Sequence, residues 1–99
     1  NKVTQALNLL NYYQFRVDVE GHTDNVPINT ARFPSNWELS VARASEVVKF
    51  FIREGINGDR LKASGYADTK PVLPHVDEFG RDIVENRAAN RRILIRIYY

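Results

Sequence analysis

Apolar and polar residues alternate from Phe15 to Glu20. Phe15, Val17 and Val19 fall on one side and Arg16, Asp18 and Glu20 on the other. A period of two predicts a strand with one buried face, and Gly21 closes it. Before it, Val3, Ala6, Leu7 and Leu10 recur at helical spacing and predict a short amphipathic helix that stops at Asn11. The helical period returns at Trp37, Val41, Ala44, Val48 and Phe51, which form one apolar stripe, with Glu38, Glu46, Lys49 and Arg53 mostly away from it. Ser35 followed three residues on by Glu38 is a capping box for the start of this long helix. Gly55 at the end, with Ile56 placed to pack back on Phe51, reads as a Schellman stop. Two prolines, Asn29 and Thr30 make the segment from Asn25 to Pro34 a loop.

Further on, Leu61, Ala63 and Tyr66 predict a strand within Arg60 to Asp68, interrupted at Gly65. The run "TKPVLPHVDEFGRDI" carries two prolines and a glycine and predicts a long loop. A helical turn over Glu85 to Asn90 leads into a last strand, where Ile93, Ile95 and Ile97 alternate with Leu94, Arg96 and Tyr98. The order helix, strand, helix, strand, short helix, strand predicts an α+β or α/β fold, with two main helices packed on one face of a small sheet. The long helix between the first two strands implies a right-handed parallel crossover.

Composition narrows the function more than the fold. With 99 residues, 43% hydrophobic and 26% charged, the chain has room for a single domain over residues 1–99 and no second core. The absence of cysteine removes disulfides, thiolate nucleophiles and cysteine metal sites. A net charge of +2 is too weak to argue for nucleic acid. No apolar run approaches the roughly 20 residues that span a bilayer.

The stretch "VEGHTDN", where the first strand runs out, concentrates candidate chemistry. His22 and Asp24 share a strand face, but a stable metal site needs three or four ligands, and the only other histidine, His75, sits in the long loop. Ser40 or Ser64 would form a triad with His22 and an aspartate only if folding assembled it, and no nucleophile-elbow spacing is present. Asp24 and Asp68 are the only strand-end carboxylate pair for acid–base work. No catalytic group, metal or cofactor is therefore assigned. The arginines 81, 87, 91, 92 and 96 could contact phosphates, but Asp82 and Glu85 lie among them, and solvated or helix-end arginines are the simpler account.

A binding reading uses more of the residues. Asn36, Ser40 and Arg43 share one face of the first turns of the long helix, off the apolar stripe. One loop joins this face to Asp24, so a carboxylate and a guanidinium can converge. Held apart, they complement a zwitterion: Arg43 takes a carboxylate as a fork and Asp24 accepts from an ammonium. A plain structural ion pair between Asp24 and Arg43 explains the same spacing, and the two readings stand side by side.

"GHTDNVPI", "FPSNWELSVARA", "GYADTKP" and "ENRAANRRILIRI" resemble, in order and spacing, the OmpA-like peptidoglycan-binding domain, and within it the branch of flagellar stator B subunits. The resemblance covers nearly the whole chain from Val17. It implies an α+β sandwich with a mixed sheet, and a noncatalytic periplasmic anchor that grips the diaminopimelate end of the peptidoglycan stem peptide. Asp24 and Arg43 would hold that end, with Thr23 beside them, Asn36, Leu39 and Ser40 on one wall, and Asn90 and Arg91 on the far side. It also implies a homodimer, part of a longer chain whose single membrane helix lies in the inner membrane with an ion-channel stator partner. A general outer-membrane or lipoprotein wall anchor is the alternative. The chain departs from the family pattern at Asn86, where glycine is frequent, at Ile83, where threonine is frequent, and in a lengthened loop from Leu73 to Asp82.

Overall fold

Residues 15–98, with Lys2 and Gln5, are described by the computed structural model of the chain, and the helix expected around Val3 to Leu10 lies outside them. The described elements are β1 (Arg16–His22), α1 (Asn36–Arg53), β2 (Leu61–Gly65), α2 (Arg87–Asn90) and β3 (Arg92–Tyr98), with 3-10 turns at Gly58–Arg60 and Val84–Asn86. β1 is the central strand of a mixed sheet in the order β2-β1-β3. It runs parallel to β2, with Val19 opposite Ala63, and antiparallel to β3, with Val19 opposite Ile95. α1 connects the two parallel strands and packs on one sheet face, the α+β arrangement expected.

The local signals hold at both ends of α1. The Ser35 hydroxyl oxygen accepts from the Trp37 N–H at 3.2 Å, and the hydroxyl donates to the Glu38 carboxylate. At the other end Ile56 N–H donates to Phe51 carbonyl and Gly55 N–H to Ile52 carbonyl, the two bonds of a Schellman motif, with Gly55 at φ 105°. Val17 and Val19 form the core with Ala44, Phe51 and Ile56, flanked by Val48, Leu61, Ala63 and Ile93.

The apolar stripe of α1 begins later than its periodicity implies. Ala44 is fully buried, but Trp37 and Val41 are 52% and 44% exposed, and Ser40 takes the buried place with no exposure. Gly21 and Gly65 face each other in the β1–β2 register, directly under Ser40. A Cβ at Gly21 would stand 2.1 Å from the Ser40 carbonyl oxygen, and one at Gly65 2.4 Å from Val41 Cγ2 and 2.6 Å from Ser40 Oγ. The helix backbone rests almost on the sheet backbone there, so a small side chain fits the seam and larger ones lie at its rim. β2 accordingly ends at Gly65 rather than Asp68. The chain turns through Ala67, whose φ of 52° is left-handed; its N–H donates to Ser40 Oγ at 3.1 Å.

The polar face of β1 is buried as well, contrary to the single buried face its alternation predicts. Asp18, Glu20 and His22 are 8%, 4% and 2% exposed. Neighbouring strands close over them: Ser64 donates to Asp18, and Arg96 Nε donates to Glu20. His22 Nε2 lies 3.2 Å from Glu20 Oε1 and must carry the proton, since a carboxylate only accepts. The Tyr66 ring stacks on His22 at 5.2 Å. Burial pushes the His22 imidazole below its ordinary pKa, against the opposing hydrogen bond to Glu20, and the nearby charge of Arg92 adds to the fall. Burial alone would raise Glu20, but its bonds to Arg96 and His22 outweigh that and hold it low.

Two outcomes follow for stability. Gly21→Ala lowers the unfolding free energy by about 1–3 kcal/mol or more, read by urea denaturation. Gly58→Ala, where an added methyl makes only ordinary contact with Ile52, stays within about 0.5 kcal/mol. Equal effects at the two sites contradict the seam. With His22 depressed, the unfolded chain binds a proton that the folded one resists, so stability present above the ordinary histidine value of 6.5 is lost as pH falls through it. Thermal midpoints measured from about pH 7.5 to 5.5 fall in the wild type and fall less in His22→Gln. Parallel curves rule the buried histidine out as the source.

Candidate functional site

The end of β1, the following loop and the first turns of α1 enclose a cleft of about 290 Å³. Thr23 is fixed at its base, its N–H donating to the Ala67 carbonyl at 2.9 Å and its hydroxyl to the Asp24 carbonyl at 2.8 Å. Asp24 is 6% exposed. Its Oδ1 accepts from the Val26 N–H at 3.0 Å, an Asx turn that starts the loop, and its Oδ2 accepts from Arg91 Nη1 at 2.9 Å. Asn36 donates to the Val26 carbonyl at 3.0 Å and so ties the loop to the start of α1. Val26, Pro27 and Ile28 form one wall; Asn36, Leu39 and Arg43 form the other, and Arg91 closes the side.

Folding therefore brings Thr23, Asp24, Asn36, Leu39, Arg43 and Arg91 to one cleft, out of eight residues expected there. The plain Asp24–Arg43 ion pair does not form. The partner of Asp24 is Arg91, and Arg43, exposed, has no ion pair or hydrogen bond among the described residues.

Ser40 and Asn90 do not line the cleft. Ser40 is completely buried in the helix–sheet seam, its hydroxyl donating to the Trp37 carbonyl and accepting from Ala67 N–H. Asn90, 1% exposed, accepts through Oδ1 from the N–H groups of Val72 and Leu73 and donates to the Leu73 carbonyl. It is the pin of the long loop. The apolar wall from Val26 to Ile28 escaped residue-by-residue reasoning, although the "NVPI" run was visible as a motif.

The other candidates disperse. His75 Nε2 lies 2.8 Å from the Asp68 carbonyl, and no group of three or more His, Cys, Asp or Glu residues gathers to hold a metal among the described residues. Ser64 is bonded to Asp18. Arg87 pairs with Asp82, Arg96 with Glu20, and Arg92 donates to the carbonyls of Lys70 and Asn90, so these arginines serve separate intramolecular partners rather than one phosphate patch.

The cleft thus offers one guanidinium with its donors free and one carboxylate that keeps acceptor capacity beyond its two bonds. Arg91 holds that carboxylate in orientation. Such a set can clamp a ligand end that carries both an anion and a cation, with the Val26–Ile28 wall against its methylenes.

Residues 1–92 match the OmpA family. Motility protein B of Helicobacter pylori (strain J99) is 39% identical over 79 residues, covering 80% of this chain and 28% of that protein. The chain spans under a third of the length of the first curated relatives it matches. The crystal form of the C-terminal domain of Helicobacter pylori MotB superposes with a TM-score of 0.80 at 32% identity, covering 99% of this chain and 69% of that one. The cell wall anchor of the type VI secretion system from Pseudomonas aeruginosa superposes with a TM-score of 0.71 at 40% identity, covering 92% and 59%. Motifs, sheet order and these likenesses agree: the chain belongs to the OmpA family and shares the fold of the MotB C-terminal domain.

Proposed function

We propose that this domain binds peptidoglycan without catalysis and anchors a flagellar motor stator to the cell wall, gripping the diaminopimelate end of the stem peptide. Asp24 accepts from the ammonium and Arg43 forks the carboxylate of that end. Arg91 orients Asp24, while Thr23, Asn36 and Leu39 shape the cleft around it. The observation that carries the reading is the unpaired Arg43 facing an Asp24 already positioned by Arg91. An anchor needs affinity rather than turnover, and a preorganised clamp supplies it.

The likeness to MotB supports the stator assignment, with the domain in the periplasm as part of a homodimeric, single-pass inner-membrane protein that works with an ion-channel partner. No helix among the described residues is long and apolar enough to cross a membrane. A second reading, a general cell-wall anchor serving another envelope assembly, draws on the 40% identity to the type VI secretion anchor and uses the same cleft. A motility assay in a strain carrying this gene's deletion separates the two readings: lost swimming with an intact filament supports the stator, and normal swimming the general anchor.

Calorimetric titration with a diaminopimelate-containing stem peptide tests the clamp. Asp24→Ala and Arg43→Ala each weaken binding at least about tenfold, the scale of losing one charge-assisted contact. Amidating the terminal carboxylate of the peptide weakens the wild type but adds nothing to Arg43→Ala. Unchanged affinity in both variants would sink the assignment.

A further inference from the structure

The cleft does not end at Arg43. Leu39 and Arg43 also line a second groove of about 190 Å³, whose remaining walls are Arg32 and Phe33 from the loop and Ala42 and Glu46 from α1. The loop arm is locally built. Thr30 N–H donates to the Phe33 carbonyl at 2.9 Å, and Phe33 N–H donates to the Thr30 hydroxyl at 2.8 Å, closing a tight turn. The Arg32 guanidinium lies over the Phe33 ring at 5.0 Å from its centroid, which restrains its plane and leaves its N–H edge available.

The charges of the joined grooves are unequal. Asp24 is paired with Arg91 and keeps acceptor capacity only for the zwitterion's ammonium, and Glu46 makes a solvent-exposed pair with Lys49 at 3.2 Å. Arg32 and Arg43 have no carboxylate or carbonyl partner among the described residues. A zwitterion needs only one guanidinium for its carboxylate. The second, on the far side of Leu39, is in excess of that need.

The geometry points to one continuous channel in which Arg32 receives a second carboxylate of the bound peptide, carried by the residue next to the zwitterion, with Phe33 packing on the chain between them. This rests on the clamp reading of Asp24 and Arg43 and extends it from a single amino-acid end to a peptide bearing two carboxylates. The domain would then distinguish wall peptides by whether that neighbouring carboxylate is free or amidated.

The test titrates the intact chain with three probes, each having the carboxylate of diaminopimelate's peptide-linked centre amidated so that only the zwitterionic end keeps its own: diaminopimelate itself, γ-D-glutamyl-diaminopimelate, and that dipeptide with its glutamyl α-carboxylate also amidated. The wild type binds the dipeptide with its glutamyl carboxylate free about fivefold more tightly than the one with it amidated, the scale of one partly exposed ion pair. Arg32→Ala loses that preference, Arg32→Lys retains part of it, and the diaminopimelate probe binds all three proteins alike. Equal binding of the two dipeptides by the wild type, with diaminopimelate binding intact, overturns the channel alone. A preference that survives in Arg32→Ala does the same. No binding of diaminopimelate by the wild type overturns the clamp reading and the channel with it.

Discussion

The structure depends on one close approach, the backbone of α1 at Ser40 resting on the facing glycines 21 and 65. Parallel strands joined by a helix ordinarily keep side chains between the layers. Here two glycines remove them, and the first turns of α1 sink toward the strand ends. That descent fixes the height of Asn36, Leu39 and Arg43 above Thr23 and Asp24, so the cleft is a consequence of the seam. Ser40 adds a second tie by accepting from Ala67 N–H, and Ala67 in turn accepts from Thr23 N–H. The seam, the left-handed turn and the base of the cleft form one hydrogen-bonded unit.

Charge pairing then decides what the cleft can take. The buried face of β1 consumes its carboxylates internally, Asp18 with Ser64 and Glu20 with Arg96 and His22. At the strand end the pairing is incomplete. Arg91 reaches Asp24 from the junction between α2 and β3, across 67 residues of sequence, and Arg43 is left with open donors. An exposed guanidinium is unremarkable alone; beside a fixed, nearly buried carboxylate it forms half of a recognition pair.

Much of this was legible in the residues, where the interactions are local. The capping box at Ser35, the Schellman stop at Gly55 and the alternation of β1 were read from neighbours a few residues apart and reappear in the fold. The parallel pairing of β1 with β2 also follows from the order of elements, and the single loop between β1 and α1 accounts for Asp24 and Arg43 lining one cleft. What was misread depends on distant partners. Trp37 and Val41 belong to the helical stripe by spacing, but the glycine seam shifts the buried face to Ser40. The family resemblance set Asn90 with Arg91 on the far side of the cleft, yet it bonds to the loop at Leu73, 17 residues away. The partner of Asp24 was sought at Arg43, one loop away, whereas Arg91 arrives from across the sheet, 67 residues on, a meeting that spacing along the chain does not reveal.

The most direct measurement is an amide-resolved NMR titration of the ¹⁵N-labelled chain with a diaminopimelate-containing stem peptide. The account predicts saturable shifts at Thr23 to Ile28, at Asn36 to Arg43 and at Arg91, with the centre of β2 unmoved. Shifts confined to other surfaces, or none while the peptide still binds purified wall, would contradict it.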